Sequence, residues 1–221
     1  MRAWGTSSDE ILISASEPLI NAWLVNTPQI LLSFCYLALN GICTSLASAE
    51  EWNNLASTRK GLRVTRPSGQ QRSTYFLQLP HRWAVPLLVT SGTLHWLMSQ
   101  SFFLVRFDVI DRDNKVISTM SRSACGFSRL SITVCLNVAL VLVCVIGWLG
   151  LRRLKEKLRF AASCSWVVSA ACHPVGSEVD PQLNMVRWGL VGERVEGKYG
   201  HCTLTSTHTK KQELVKGKVY R

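Results

Sequence analysis

Three polar side chains, Ser91, His95 and Ser99, recur at four-residue intervals inside residues 83–105, a largely apolar stretch without Asp, Glu, Lys or Arg. This spacing places them on one face of a helix. An ionisable group inside a membrane helix is costly, and it usually faces a partner helix or a water-filled cavity. Two interpretations are open: a proton or substrate site in a transport path, or a neutral histidine hydrogen-bonded across a helix interface to Asn40 or Asn137.

A second set of side chains has the donor types that zinc prefers, thiolate and imidazole. It consists of Cys164, Cys172, His173, His201 and Cys202. No C-x-x-C or H-x-x-x-H pair occurs in the chain, so the spacing does not match that of compact zinc fingers. A metal site would need the segment 161–173 to meet the segment 201–207. Acylation of Cys164 near a membrane and ordinary buried thiols are the alternatives, and no cofactor is predicted.

Motifs of the common catalytic classes are missing from this sequence. It lacks a glycine-rich phosphate loop, a G-x-S-x-G elbow and an H-E-x-x-H helix. Asp111, Asp113 and Asn114 indicate a turn rather than a calcium loop, because the glycine and the distal glutamate of that loop are absent. No catalytic residue is predicted, and a non-enzymatic role is favoured.

The elements that must position the polar residues are three apolar blocks, at residues 28–49, 83–105 and 130–151. None contains Asp, Glu, Lys or Arg, and each reaches the ~20 residues that a bilayer-spanning helix needs. Asn26 and Thr27 before Pro28 predict the start of the first helix. The sequence therefore predicts an α-helical integral membrane protein with about three transmembrane helices and a small cytosolic α+β tail.

The predicted organisation has three parts: an interfacial N-terminal segment at 1–27, a membrane domain at 28–151 and a cytosolic tail at 152–221. Between the second and third blocks, a hairpin is predicted from strand-like runs at 107–110 and 116–119, joined by a turn at 111–114. In the tail, a short helix within 160–171 and two strands at 185–191 and 201–207 are predicted.

The net charge of +11 comes from Lys and Arg that lie beside the apolar blocks. This pattern favours the lipid bilayer and its anionic headgroups as partners, with other membrane helices as further partners and no nucleic acid. The five basic residues after the third block would bind those headgroups: Arg152, Arg153, Lys155, Lys157 and Arg159. With three spans, the loop at 50–82 and the ten residues after the third block contain eleven Lys and Arg on one side, and the loop at 106–129 and the segment before the first block contain six on the other. This bias predicts an outside N-terminus and a cytosolic C-terminus.

Several runs of the chain resemble a family of fungal multi-pass membrane proteins that is defined only by a domain of unknown function. They are TPQILLSFCYLALNG, AEEWNNLA, GQQRSTYFLQLPHRWAVPL, SGTLHWLMSQSFFLVR, SCSWVVSAACHP and GHC. The resemblance covers about residues 20–205 and implies several membrane spans but no activity. Family members look longer, with further spans upstream, so the resemblance implies that this chain is a truncated member.

Two functions follow as alternatives. The first is a structural or scaffold part of a larger helical bundle, without catalytic activity. The second is a transporter-like or channel-like module that uses the intramembrane polar residues around His95. Transport predicts that His95, Asn40 and Asn137 line one wet cavity, whereas a scaffold predicts a dry interface.

Overall fold

The computed structural model describes residues 11–13, 18–112, 116–117, 122–154, 164–173, 178–191 and 201–207. The helices are α1 (Pro18–Asn54), α2 (His81–Ser101), α3 (Arg129–Leu151) and α4 (Ser165–Ala171), with a short 3-10 helix at Pro181–Leu183. The strands are β1 (Ile11–Ile13), β2 (Lys60–Gly61), β3 (Arg63–Val64), β4 (Arg72–Ser73), β5 (Phe102–Phe107), β6 (Arg122–Phe127), β7 (Met185–Val191) and β8 (His201–Thr205). Two compact units result: unit 1 has residues 1–41 and 82–150, and unit 2 has residues 42–81 and 151–221.

The predicted fold class, a helical membrane protein with about three spans and a small α+β tail, is wrong. The described residues form an α+β fold with three small sheets, and the sheet β1-β6-β5 belongs to unit 1. Among the described residues, two helices, α1 and α3, are both long and apolar enough to cross a bilayer. The predicted span at 83–105 is divided, because α2 ends at Ser101 and β5 begins at Phe102.

The division of that span has a physical cause in strand pairing. The run FFLVRF of β5 is rich in aromatic residues, which favour strands, and it pairs antiparallel with β6 from Phe102↔Phe127 to Phe107↔Arg122. A hairpin therefore connects α2 and α3, but its paired strands are β5 and β6 and not the predicted runs at 107–110 and 116–119. An isolated antiparallel bridge, Ile110↔Val116, lies nearer its tip, and residues 113–115 and 118–121 lie outside the described part.

Helix α1 begins ten residues before the predicted start, and Pro28 lies inside it. Asn26 and Thr27 do not cap a helix; their side chains donate to the carbonyls four residues earlier, at 2.8 Å each. The early start has a tertiary partner: the buried amide of Asn21 donates to Ser123 O at 3.0 Å and to Ser123 Oγ at 2.8 Å. This contact fastens the first turns of α1 to β6.

The helices of unit 1 meet through a small apolar cluster. Leu94 and Leu97 of α2 and Cys135 of α3 are buried in it, and Leu32 of α1 packs against it. Helix α3 coincides with the predicted third block, extended by one residue at its start.

Unit 2 has its own core, built on the sheet β2-β7-β8. The predicted tail strands are confirmed, since β7 and β8 pair antiparallel from Arg187↔Thr205 to Val191↔His201. Trp188 of β7 packs edge-on against Trp52, with ring centroids 4.9 Å apart. Its indole nitrogen donates to Trp52 O at 3.1 Å, so the C-terminal end of α1 is fixed to the sheet.

Gly61 lies where another backbone segment comes too close for any side chain. An added Cβ at Gly61 would lie far inside the van der Waals contact distance from the Gln70 carbonyl oxygen. Backbone atoms there cannot move aside cheaply, unlike the end of a flexible side chain. Gly61 also accepts a hydrogen bond from Arg72 Nε at 2.9 Å, so its position sets that of Arg72.

Replacing Gly61 with alanine is expected to destabilise unit 2 by about 1–3 kcal/mol, the usual cost of overpacking. Gly41→Ala is the matched control, because a Cβ there meets nothing within 4 Å and alanine favours the helix by about 1 kcal/mol. Thermal unfolding of both variants in detergent gives the comparison. Equal melting temperatures would contradict the assigned close approach.

Candidate functional site

A cleft of about 400 Å³ opens in unit 2. The last turns of α1 form one wall, with Thr44, Ser48 and Glu51. The segment 74–80 and the strand β3 form the other, with Arg63, Tyr75 and Gln78 among the lining side chains. The cleft therefore joins one carboxylate and one guanidinium to several neutral polar groups.

The Glu51 carboxylate forms salt bridges with two arginines. Arg63 Nε lies 2.8 Å and 3.1 Å from its two oxygens, and Arg72 Nη2 lies 2.9 Å from one of them. Such charge-assisted hydrogen bonds are stronger than neutral ones. Two guanidinium groups and one carboxylate leave one formal positive charge in this cluster.

The register of β3 and β4 explains why the carboxylate is needed. These strands pair in parallel, and Arg63 is the partner of Arg72. Like charges opposite each other destabilise a strand pair, and Glu51 compensates them from the neighbouring helix. The Glu51–Arg63–Arg72 group is thus both a structural link and a local source of positive charge.

Arg63 is held by further contacts on the cleft side. Its guanidinium lies over the ring of Tyr75 at 3.7 Å from the centroid, a cation–π arrangement. Its Nη2 donates to the Tyr75 hydroxyl, and its Nη1 donates to Ser73 O at 3.0 Å. These contacts fix the plane of the guanidinium.

The backbone beside Tyr75 is strained. Gln78 has φ 62°, one of two positive values among the described non-glycine residues; Asp180, at 47°, is the other. A side-chain-bearing residue in this region carries a conformational cost that the surrounding structure must offset, and such residues often cluster at functional sites. Gln78 N also donates to Tyr75 O at 3.1 Å, which closes the turn.

The intramembrane polar residues predicted from the sequence lie on α1, α2 and α3. Ser91 and His95 are half-buried, as is Asn40. Ser99 is exposed and donates to Trp96 O at 3.1 Å. Asn137 is exposed and donates to Thr133 O at 2.8 Å, so both of these hydrogen bonds run along the residue's own helix. The role of the five residues stays a prediction.

The predicted metal-ligating set lies around α4 and β8. Cys164 and Cys172 are exposed at the two ends of α4, and His173 Nδ1 lies 3.0 Å from Ser169 O. Burial raises the pKa of the Cys202 thiol to about 12, whereas zinc binds the thiolate. Across the part of the chain that the structure describes, no group of three or more His, Cys, Asp or Glu residues is arranged to hold a metal ion.

Glu178 is a further ionisable group that the sequence did not single out. Burial acts to raise its pKa, but hydrogen bonds from Thr205, Thr207 and Ser206 outweigh this and lower the pKa from 4.5 to about 2. Ser206 donates through its backbone nitrogen at 3.1 Å and its hydroxyl at 3.0 Å, and Thr207 Oγ1 donates at 2.8 Å. The carboxylate therefore fastens the end of β8.

The Glu51–Arg63–Arg72 group was missed by sequence reasoning. The two arginines contributed there only to the count of basic residues, and Glu51 was not singled out. Glu51 lies 12 and 21 positions from its partners, with irregular chain between them. No periodicity connects residues across such a segment, so the sequence offered no signal for the pairing.

Glu178 makes stability depend on acid pH. Because its pKa is lower in the folded chain, its contribution is fully present above pH 4.5 and is lost as the pH falls toward 2. Glu178→Gln is expected to lower the melting temperature at pH 6 and to flatten its fall between pH 5 and about 3. Melting curves in detergent across this range compare the variant with the parent. An unchanged pH slope would contradict the assignment.

Glu51→Gln is expected to reduce the free energy of unfolding by about 1–3 kcal/mol, because it weakens bonds to two charged donors. Asp108→Asn is the matched control: it breaks the more exposed pair with Arg106, worth less than about 1 kcal/mol. Chemical denaturation in detergent measures both. A loss at Glu51 no larger than that at Asp108 would remove the structural role given to the cluster.

One of three comparisons with known proteins finds a match, and it is to a protein family. The family model described as a domain of unknown function (DUF8419) matches residues 4–220. No curated protein and no solved structure matches the chain. The predicted resemblance to a family defined by a domain of unknown function is thereby confirmed. Since the match spans far more than half of its residues, this chain belongs to the DUF8419 family.

Proposed function

We propose that this chain is an integral membrane protein, held in the bilayer by α1 and α3, with a structural or scaffold role. One observation carries the proposal: the two long apolar helices are left uncovered. Only 6% of the residues in the most apolar part of α1 are buried, and 17% of those in the most apolar part of α3. The central helix of a water-soluble protein would be mostly buried, because its apolar side chains would otherwise contact water.

The uncovered side chains are large. Leu31, Phe34 and Leu37 of α1 and Leu136, Leu140 and Trp148 of α3 are all exposed. Soluble monomers rarely expose contiguous apolar patches above a few hundred Å². Lipid acyl chains would cover these faces without the free-energy cost of hydrating them.

The connections within unit 1 fit this location. β1 precedes α1 and β6 precedes α3, and the two strands pair. Both helices therefore begin at the same sheet, and the chain has to come back to that sheet after α1 and before α3. Helix α2 makes this return, because it ends directly before β5. The cluster of Leu94 and Leu97 with Leu32 and Cys135 lets α2 pack against both.

The charge distribution supports an orientation. Arg152 and Arg153 are exposed directly after α3, and Lys155, Lys157 and Arg159 follow outside the described residues. In the proposal these five side chains bind anionic headgroups. The Lys and Arg bias then puts the N-terminus outside and the C-terminus in the cytosol. A fungal source, implied by the resemblance, is part of the same proposal.

A scaffold role is favoured over transport by the contacts between the helices. Transport would require a wet cavity lined by His95, Asn40 and Asn137. Asn137 is exposed and donates within its own helix, while the contact of α2 with α3 is made by Leu94, Leu97 and Cys135. A contact made by these apolar side chains suits a packing role.

The proposal is tested by expressing the whole chain in cells and washing the membranes at alkaline pH. The parent is expected in the membrane pellet. Leu140→Lys should reduce this retention, because a lysine in mid-helix costs about 2.5–3.5 kcal/mol on insertion. Leu154→Lys, beyond the end of α3, is the matched control and should be retained.

Recovery of the parent in the soluble wash, or equal retention of both lysine variants, would overturn the proposal. The orientation has a second readout in the same cells. Cysteines placed at Arg66 and Arg112, both exposed, should react with an impermeant thiol reagent from opposite sides of the membrane. Labelling of both from one side would contradict the orientation.

A further inference from the structure

We infer that the cleft beside Glu51 binds a phosphate diester, the group that phospholipid headgroups carry. The inference that a lipid supplies this group rests on the proposed membrane location, whereas the inference that the cleft binds a phosphate diester does not. Three features of the described residues carry the inference: the charge of the Glu51–Arg63–Arg72 group, the hydrogen-bond donors of the cleft and the exposed apolar side chains that follow Tyr75.

The charge of the cluster matches a diester. Glu51 compensates one of the two guanidinium groups that it contacts, and one positive charge is left. A phosphate diester carries one negative charge at neutral pH, so it would complete the balance. The side chain of Arg63 is 23% exposed, and it lines the cleft, so its guanidinium is accessible to an anion. Planar guanidinium groups suit phosphate oxygens.

The neutral groups around Arg63 are donors as well. The Tyr75 hydroxyl accepts a hydrogen bond from Arg63 Nη2, so its own proton is directed to another acceptor. The hydroxyls of Ser48 and Thr74 and the amide of Gln78 line the same cleft. A volume of about 400 Å³ falls within the range of small-molecule sites, roughly 300–1,000 Å³.

Apolar side chains next in sequence to Tyr75 suit an amphiphilic ligand. Ser48 belongs to α1, the helix that we propose crosses the bilayer, and Phe76 and Leu77 directly follow Tyr75. Phe76 is 92% exposed and Leu77 is also exposed. A lipid whose phosphate enters the cleft would set its glycerol and acyl groups against these apolar side chains. A free diester would use the polar part alone.

The test uses the purified whole chain in neutral detergent, with binding followed by tryptophan fluorescence or calorimetry. The probes are dihexanoyl-phosphatidylglycerol, its deacylated headgroup glycerophosphoglycerol, and dihexanoylglycerol, which lacks the phosphate. The parent is expected to bind the phospholipid and not the dihexanoylglycerol. Tighter binding of the phospholipid than of the headgroup identifies a lipid source, and equal binding identifies a free diester.

Two variants locate the site. Ser48→Leu fills the cleft and should weaken binding about tenfold or more, the loss expected when a charge-assisted contact is blocked. Ser45→Leu adds the same side chain to an exposed position of α1 that does not line the cleft, and it should bind as the parent does. Tyr75→Phe keeps the ring under Arg63 and removes one donor, so a smaller, severalfold loss is expected with folding intact.

Binding of dihexanoylglycerol as tight as that of the phospholipid would overturn the inference, as would equal affinities in the Ser48→Leu and Ser45→Leu variants. These outcomes are separate from the failure of the proposed function. Binding is measured in detergent and does not depend on insertion, whereas the alkaline wash measures insertion and does not depend on the cleft.

Discussion

The apolar surface that α1 and α3 leave uncovered is the constraint on which the rest of the structure depends. Side chains such as Phe34 and Leu140 are exposed along helices that are long enough to cross a bilayer. In water this surface would favour collapse or association. In the proposed bilayer location, the short apolar contact among Leu32, Leu94, Leu97 and Cys135 would be a sufficient helix interface, because lipid would cover the remaining faces.

Unit 2 is stabilised by polar contacts as well as by a small apolar core. Trp188 and its neighbours form a core on the sheet β2-β7-β8, but the short strands β3 and β4 have only two residues each. Their position depends on Glu51, which binds Arg63 and Arg72 together. A carboxylate that compensates two opposed arginines stabilises the segment and leaves one positive charge at a cleft. The same geometry thus gives a structural link and a candidate anion site.

Much of the secondary structure was predictable, and the exceptions have physical reasons. Helix α3 and strands β7 and β8 follow from apolar runs with clear polar boundaries. The second apolar block was read as one helix, because aromatic and aliphatic residues of FFLVRF suit a membrane helix as well as a strand. Only the partner strand RSACGF decides between them. Likewise, Pro28 indicated a helix start, but the contact of Asn21 with Ser123 extends α1 toward the N-terminus.

The sequence by itself determined the apolar segments, their basic flanks and the absence of familiar catalytic motifs, because these depend on residues that are neighbours along the chain. Tertiary structure alone decided the sheet of unit 1 and the grouping of Glu51 with Arg63 and Arg72. It also decided that the thiol of Cys202 lies in a core, where burial raises its pKa. Each of these depends on contacts between residues distant in sequence, and such contacts form only when packing brings the segments together.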